Sequence, residues 1–329
     1  MRIKRLDKNF TLLDANADLI AHMGIHGYSK KLNKRIKPNS FEAVKLAIDN
    51  NIPFEIDIRN TADHIAILEH DNIIKLDAER VKINHLTYSQ LKEKMGDDMP
   101  CTLEEVLEYN NGKVPIVIDA KEANIFYSKY RRNLSELLNK FSMNTELILQ
   151  SFNPFFILSM RKKGFATGQL ICRGETFLSV FKGPKTFANV YEKIVSFVCF
   201  ISDADMIVME NHSNKKWNKR TSIFTSEEAY ENKKKKLESL QEKLDNAIYK
   251  GRRKLLKIAD KIQLKLVKAA HDLTKKPVLA FTIENELEFG EIDSFYITNY
   301  IVDFGIRGID NYIDDIKKLS QERKNQCNH

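Results

Sequence analysis

Short apolar, β-branched runs alternate with amphipathic stretches along most of this chain, and that alternation restricts its fold more than any other feature. The runs Asp18–His22, Pro53–Ile58, Val114–Asp119, Glu146–Gln150, Thr167–Cys172, Pro277–Ile283 and Gly308–Asp310 read as strands. One more strand falls at Ile194–Ile201 or at Met206–Met209. Between them, Ser40–Asn50, Thr102–Asn110, Ala123–Phe141 and Phe155–Lys163 carry apolar residues at helical spacing. Strand and helix in strict alternation imply a parallel sheet, because parallel neighbours need a crossover connection. About eight such units fit a (β/α)8 TIM barrel, which typically runs to about 250 residues. A doubly wound open sheet is the competing α/β architecture. Its nucleotide-binding form has no support, since neither GxGxxG nor GxxxxGK[ST] follows the first strand.

One segment stands apart from this pattern. The chain of 329 residues carries a formal net charge of +8. Between Ser213 and Lys276 there are 19 Lys and Arg against 8 Asp and Glu, so this segment supplies all the excess positive charge. Leu237, Leu240, Leu244 and Ala247 share one helical face, and after Gly251 so do Leu255, Ile258, Ile262, Leu266, Ala269 and Leu273. The expected organisation is a barrel carrying a helical basic insertion. Residues 1–212 form its first six strands, 213–276 a helical hairpin, and 277–329 the last strands and a C-terminal helix. The hairpin reads either as a solvated insert packing its own apolar stripes or as a basic surface for peripheral association with an anionic membrane. Nucleic acid is not expected, since aromatic interleaving is missing.

The four cysteines show neither close pairing nor CxxC spacing, which argues against both a disulfide framework and a zinc site. The basic amino terminus is not followed by the apolar run of a signal peptide, and no stretch approaches the roughly 18 apolar residues of a membrane span. A cytoplasmic protein, peripheral at the inner membrane surface if the insert docks there, is the expectation.

Chemistry on a TIM barrel gathers at the carboxyl ends of the strands. His22 ends the first run, Glu55 and Asp57 sit in the second, His70 ends the extended segment Ile65–Glu69, and Asp119 with Lys121 ends the third. Residues two apart on a strand share a face, so Glu55 and Asp57 point the same way and repel unless a cation lies between them. With Asp119 they offer oxygen ligands to a hard divalent ion, Mg²⁺ or Ca²⁺, with Mn²⁺ a third candidate. His22 and His70 could then donate and accept protons. Taken singly, an E-x-D pair in a strand is more often an exposed or salt-bridged face, and a lone histidine is more often structural. Joint placement at successive strand ends favours the site. His26 could reach the mouth but reads as a loop histidine with a structural or solvent-facing role.

The same residues fall into an ordered set of motifs: Ala21-His22-Met23-Gly24, Pro38-Asn39-Ser40, Glu55-Ile56-Asp57, Thr61-Ala62-Asp63-His64, His70-Asp71 and Asp119-Ala120-Lys121. Thr102-Leu103-Glu104-Glu105, Gln150-Ser151-Phe152-Asn153-Pro154 and Gly305-Ile306-Arg307-Gly308-Ile309-Asp310 follow, the last in the place of a final strand. In order, and nearly in spacing, they resemble the glycerophosphodiester phosphodiesterase family over most of the chain outside the basic insert.

That resemblance implies metal-dependent hydrolysis of a glycerophosphodiester to glycerol 3-phosphate and an alcohol; a lysophospholipid is the alternative small-molecule substrate if the basic insert holds the enzyme against a bilayer. Glu55, Asp57 and Asp119 would be the metal ligands, His22 and His70 the general base and acid, and Lys121 a phosphate contact. In the family the substrate's own glycerol hydroxyl is thought to attack phosphorus, giving a cyclic phosphate that water opens.

Several departures qualify the likeness, including a missing counterpart for the glutamate of the family's P-E-N-[ST] motif, since Pro38 runs directly into Asn39, and Glu284 where an asparagine is common. Met23 stands where the family has a phosphate-holding arginine, Asp119 replaces a longer glutamate, and His64 takes the place of a turn glycine, tolerable because histidine is among the residues enriched at positive φ. Loss of one charge-assisted contact costs about 1.5 to 3 kcal/mol, enough to weaken catalysis without abolishing it. A barrel that binds phosphodiesters or lipid head groups as a scaffold, without turnover, is the alternative that Met23 favours.

Overall fold

The computed structural model describes residues 19–76, 79–121, 128–142, 145–171, 198, 201–210, 278–283, 297–305 and 308–327. In chain order the strands are β1 (Ile20–Ala21), β2 (Gly27–Ser29), β3 (Lys34–Ile36), β4 (Phe54–Asn60), β5 (Ala66–Leu68), β6 (Ile73–Leu76), β7 (Glu79–Lys82), β8 (Ile116–Ala120), β9 (Leu147–Ser151), β10 (Ala166–Ile171), β11 (Met206–Glu210), β12 (Val278–Ile283) and β13 (Ile297–Val302). The principal α-helices are α1 (Phe41–Asp49), α2 (Tyr88–Met95), α3 (Leu103–Asn110), α4 (Ser128–Phe141), α5 (Pro154–Lys162) and α6 (Ile309–Cys327).

Eight of these strands run parallel in the order β1-β4-β8-β9-β10-β11-β12-β13, and the two-residue β1 closes the ring. Ile20 pairs with Ile301 on one side and Ala21 with Phe54 on the other. The result is the expected (β/α)8 barrel. Strand β5 turns back antiparallel on β4 and extends that strand beyond the barrel mouth.

Two apolar regions follow from the alternation along the strands. Ile20, Val117, Ile148, Ala166, Leu170, Met206, Val208, Leu279 and Ile301 pack in the barrel interior. The opposite faces, among them Ile56, Ile118, Leu149 and Val302, pack against helices such as α1, which buries Ala43, Val44, Ala47 and Ile48. Helix starts are fixed by local chemistry. Ser40 caps α1, Thr102 and Glu105 form a capping box on α3, and Asn153 caps α5 with Pro154 in its first turn.

Two strand assignments differ from the sequence reading. The final strand is Ile297–Val302 rather than Gly308–Asp310, which instead opens α6. Gly308 takes φ +86°, and Asp310 falls in the first helical turn, where a carboxylate suits the helix dipole. Of the two alternatives for the sixth barrel strand, Met206–Glu210 forms it, while Ile201 is helical. The antiparallel β2–β3 and β6–β7 hairpins were not anticipated. The expected hairpin at 213–276 lies outside the described residues.

Candidate functional site

Register places the carboxylates. Across the sheet Asp57 pairs with Asp119, and Asp119 with Gln150, so three polar side chains occupy one inward-facing row on β4, β8 and β9. Glu55 lies two residues below Asp57 on the same face, level with Val117 and Ile148 of the apolar interior. The row continues to Gly168, where a Cβ would meet Val208 Cγ2 at 2.7 Å. The site thus stands on a dry apolar floor.

Burial makes this cluster electrostatically costly. Glu55, Asp57 and Asp119 are all buried, and one carboxylate oxygen from each lies within 4.8 Å of the others. Burial, and then the charges of Asp57 and Asp119, push the Glu55 carboxyl well above its ordinary range. Burial likewise raises Asp119 to about 6, against the opposing pull of Lys121. Lys121 Nζ lies 2.7 Å from Asp57 Oδ1 and also pairs with Asp119 Oδ2. Burial would lower its pKa, but the three surrounding carboxylates outweigh that and raise it.

One ammonium does not complete the set. Asp57 Oδ2, Asp119 Oδ1 and Gln150 Oε1 are buried without a hydrogen-bond partner. Buried polar atoms are normally satisfied, and three unsatisfied oxygens beside converging carboxylates fit the all-oxygen ligand set of Mg²⁺ or Ca²⁺.

His22 flanks this cluster. Its Nε2 is 3.9 Å from Glu55 Oε2, and its Nδ1 is 3.4 Å from Asp303 Oδ2. Asp303 follows β13 at the mouth and also lies 3.4 Å from His26 Nε2 through Oδ1. Burial alone would raise the Asp303 carboxyl, yet the imidazoles of His26 and His22 hold it well below the usual carboxylate range. His26 is only 7% exposed, so the solvent-facing alternative for it does not hold.

His70 is placed differently. Its Nδ1 lies 2.8 Å from Asp71 Oδ1, and its carbonyl accepts from Arg59 Nε at 2.8 Å. The same guanidinium donates to the Lys121 carbonyl at 3.2 Å, tying the His70 segment to the end of β8 through backbone rather than through the imidazole. Thus five of the six candidate residues meet in one chain of contacts, and His70 joins at the rim.

The loop after β1 is shaped around Glu55. Met23 adopts φ +53°, and its backbone N–H donates to Glu55 Oε2 at 3.2 Å. Gly24 follows at φ +74°, where a Cβ would meet Ala43 C of α1 at 2.8 Å. Asn39, also at positive φ, brackets the Asp57 peptide: its Nδ2 donates to Asp57 O at 2.9 Å and its Oδ1 accepts from Asp57 N at 3.1 Å. His64 takes φ +68°, as its place in the turn required.

Solved structures share this architecture. A glycerophosphodiester phosphodiesterase from Thermotoga maritima aligns with a TM-score of 0.50 at 19% identity, covering 90% of this chain and 96% of its own. An Oleispira antarctica phosphodiesterase, in complex with the product sn-glycerol-3-phosphate, aligns at 0.54 and 16% identity with the same coverage. A Parabacteroides distasonis glycerophosphodiester phosphodiesterase aligns at 0.52 and 15%, covering 93% and 98%. The fold is that of the glycerophosphodiester phosphodiesterases. No family model and no curated protein matches the sequence.

Within that fold, Asp303 is the first of the residues that the sequence alone did not bring forward. The signal was available: a carboxylate directly after the β-branched, apolar run Tyr300-Ile301-Val302 obeys the same strand-end rule as His22 and Asp119. Misplacing the last strand at Gly308–Asp310 hid it. Arg59 was missed because a strand arginine carries no pattern until register is known, and Gln150, which opens the Gln150-Ser151-Phe152-Asn153-Pro154 motif, was given no place in the site for the same reason.

Proposed function

We propose that this protein hydrolyses glycerophosphodiesters to glycerol 3-phosphate and an alcohol. The observation that carries the reading is the row of Asp57 and Asp119 above Glu55, with His22 and Lys121 against it, at the mouth of a phosphodiesterase-type barrel. A divalent ion held by Glu55, Asp57 and Asp119, Mg²⁺ or Ca²⁺ before Mn²⁺, would supply positive charge where the phosphoryl oxygens gain negative charge.

The chain's own groups supply the rest. His22, with Nδ1 toward Asp303, presents Nε2 as the base that takes the proton of the attacking glycerol hydroxyl. His70 at the rim protonates the departing alcohol. Water then opens the cyclic phosphate in the reverse sense. Lys121 contributes a positive charge to the phosphate. The glycerol 3-phosphate bound by the Oleispira antarctica enzyme supports a small phosphodiester as the substrate class here. Met23 favours a second reading, a barrel that binds such head groups with little or no turnover, because its thioether offers the phosphate no charge.

The deciding experiment measures glycerol 3-phosphate release from glycerophosphocholine and glycerophosphoglycerol with Mg²⁺, Ca²⁺ or Mn²⁺, in the wild type, His22→Ala and His70→Ala. Metal-dependent turnover lost in both variants is expected. Absence of turnover with every metal and both substrates would move the assignment to the binding reading.

A further inference from the structure

Among the described residues five large apolar side chains are exposed: Leu32, Ile65, Ile73, Phe152 and Phe155, at 36% to 53% of full accessibility. A single exposed apolar residue carries no information. Their placement does. Leu32 lies between β2 and β3 on the connection after β1; Ile65 sits in the turn after β4; Ile73 opens β6, on the excursion from β5 to α2; Phe152 and Phe155 directly follow β9. Every one stands on a connection leaving the carboxyl end of a barrel strand, the end that carries the carboxylates. The barrel strands concerned, β1, β4 and β9, belong with β8 to one continuous arc of the ring, the arc that supplies Glu55, Asp57 and Asp119.

The connection after β1 adds charge. From Gly27 to Lys37 there are five basic residues and no acidic one. Lys34 pairs with Glu42 at 2.7 Å and Lys37 with Asp98 at 2.8 Å. Lys30 and Lys31, both exposed between Ser29 and Leu32, have no ion-pair partner among the described residues. Separate apolar anchors spaced around a polar opening, with exposed lysines beside one of them, suit a fluid anionic surface better than a protein partner, whose interface needs a contiguous apolar centre.

We infer that the barrel mouth docks on an anionic phospholipid bilayer, with Lys30 and Lys31 against lipid phosphates and Leu32, Ile73, Phe152 and Phe155 entering the interface. The docked orientation turns the carboxylate row toward the head groups. None of its residues belongs to the basic segment 213–276, and the inference does not depend on hydrolysis, because vesicle binding is measured without turnover.

The test is sedimentation of the full chain with phosphatidylcholine vesicles, with and without phosphatidylglycerol. Binding only to the anionic vesicles is expected, weakening as salt is raised. Lys30→Gln/Lys31→Gln should lower the affinity about 30-fold, from the typical contribution of a lysine at a charged bilayer. Leu32→Ser/Phe152→Ser should lower it about tenfold, with unchanged thermal midpoint and unchanged rate on any soluble substrate the wild type cleaves. Wild-type affinity in both variants overturns the inference, as does failure of the wild type to bind anionic vesicles.

Discussion

Lys121 Nζ lies 2.7 Å from Asp57 Oδ1, and that single ammonium is the only side-chain cation among the described residues paired to the buried carboxylate row. It holds part of the place a divalent ion would take. Lys121→Met should therefore destabilise the metal-free protein by about 3 to 5 kcal/mol, the usual cost of leaving a buried charge unpaired. Divalent ion should restore the loss, and its affinity should rise above that of the wild type. Urea unfolding with and without Mg²⁺, and metal titration calorimetry, check both halves; equal destabilisation with and without metal would separate Lys121 from the metal's place.

Asp119 fixes a pH dependence whose sign is unusual for a carboxylate. Its pKa in the fold is about 6, above the ordinary 3.8, so the folded state binds its proton more readily than the unfolded chain does. The contribution to stability is fully present below about pH 4 and is lost as pH rises through about 6, a change of about 3 kcal/mol in the metal-free protein. Asp303, held low, acts in the opposite sense and loses its contribution as pH falls. Comparing the stability–pH slopes of wild type and Asp119→Asn between pH 4 and 6 isolates the first effect: the variant's decline should be shallower, the remainder coming from Glu55, whose carboxyl burial also raises.

Asp303 touches no substrate in this scheme and acts through His22, whose Nδ1 it faces at 3.4 Å. Asp303→Asn keeps the shape and removes the charge. We expect kcat to fall about tenfold or more with little change in KM, since a carboxylate that orients a catalytic imidazole and stabilises its charged form typically contributes at least that much. A proportionate rise in KM with constant kcat would instead place Asp303 in substrate binding.

Met23 bears on phosphate binding. Its backbone already serves Glu55 and its φ is positive for any side chain placed there, so Met23→Arg changes the side chain without disturbing that bond. The guanidinium should raise kcat/KM on a glycerophosphodiester about tenfold or more. An unchanged rate would show that another group already fills the role.

Asn39 is the structural keystone for Asp57. Asn39→Ala removes both hydrogen bonds to the Asp57 peptide and leaves an alanine at φ +58°. A loss of about 2 to 4 kcal/mol is expected in urea unfolding, from two buried bonds and a left-handed residue without its side-chain support.

The sequence by itself determined the barrel and most of the row. Alternation of apolar runs with amphipathic helices is a local property, written in side-chain periodicity, and so is the shared face of Glu55 and Asp57 two residues apart. Helical spacing of apolar residues placed the starts of α1, α3 and α5 to within a residue, and the structure adds the local caps Ser40, Thr102 and Asn153 that fix them. Tertiary structure decided the remainder. The level of Asp119 with Asp57 and Gln150 depends on the register between β4, β8 and β9, which no single segment encodes. Asp303 meets His22 and His26 only because β13 closes the ring beside β1, joining residues 281 positions apart. Whether β-branched residues or a glycine-bounded run forms the last strand turned on which of them could fill the gap between β12 and β1. Local propensity could not settle that competition, and closure of the barrel did.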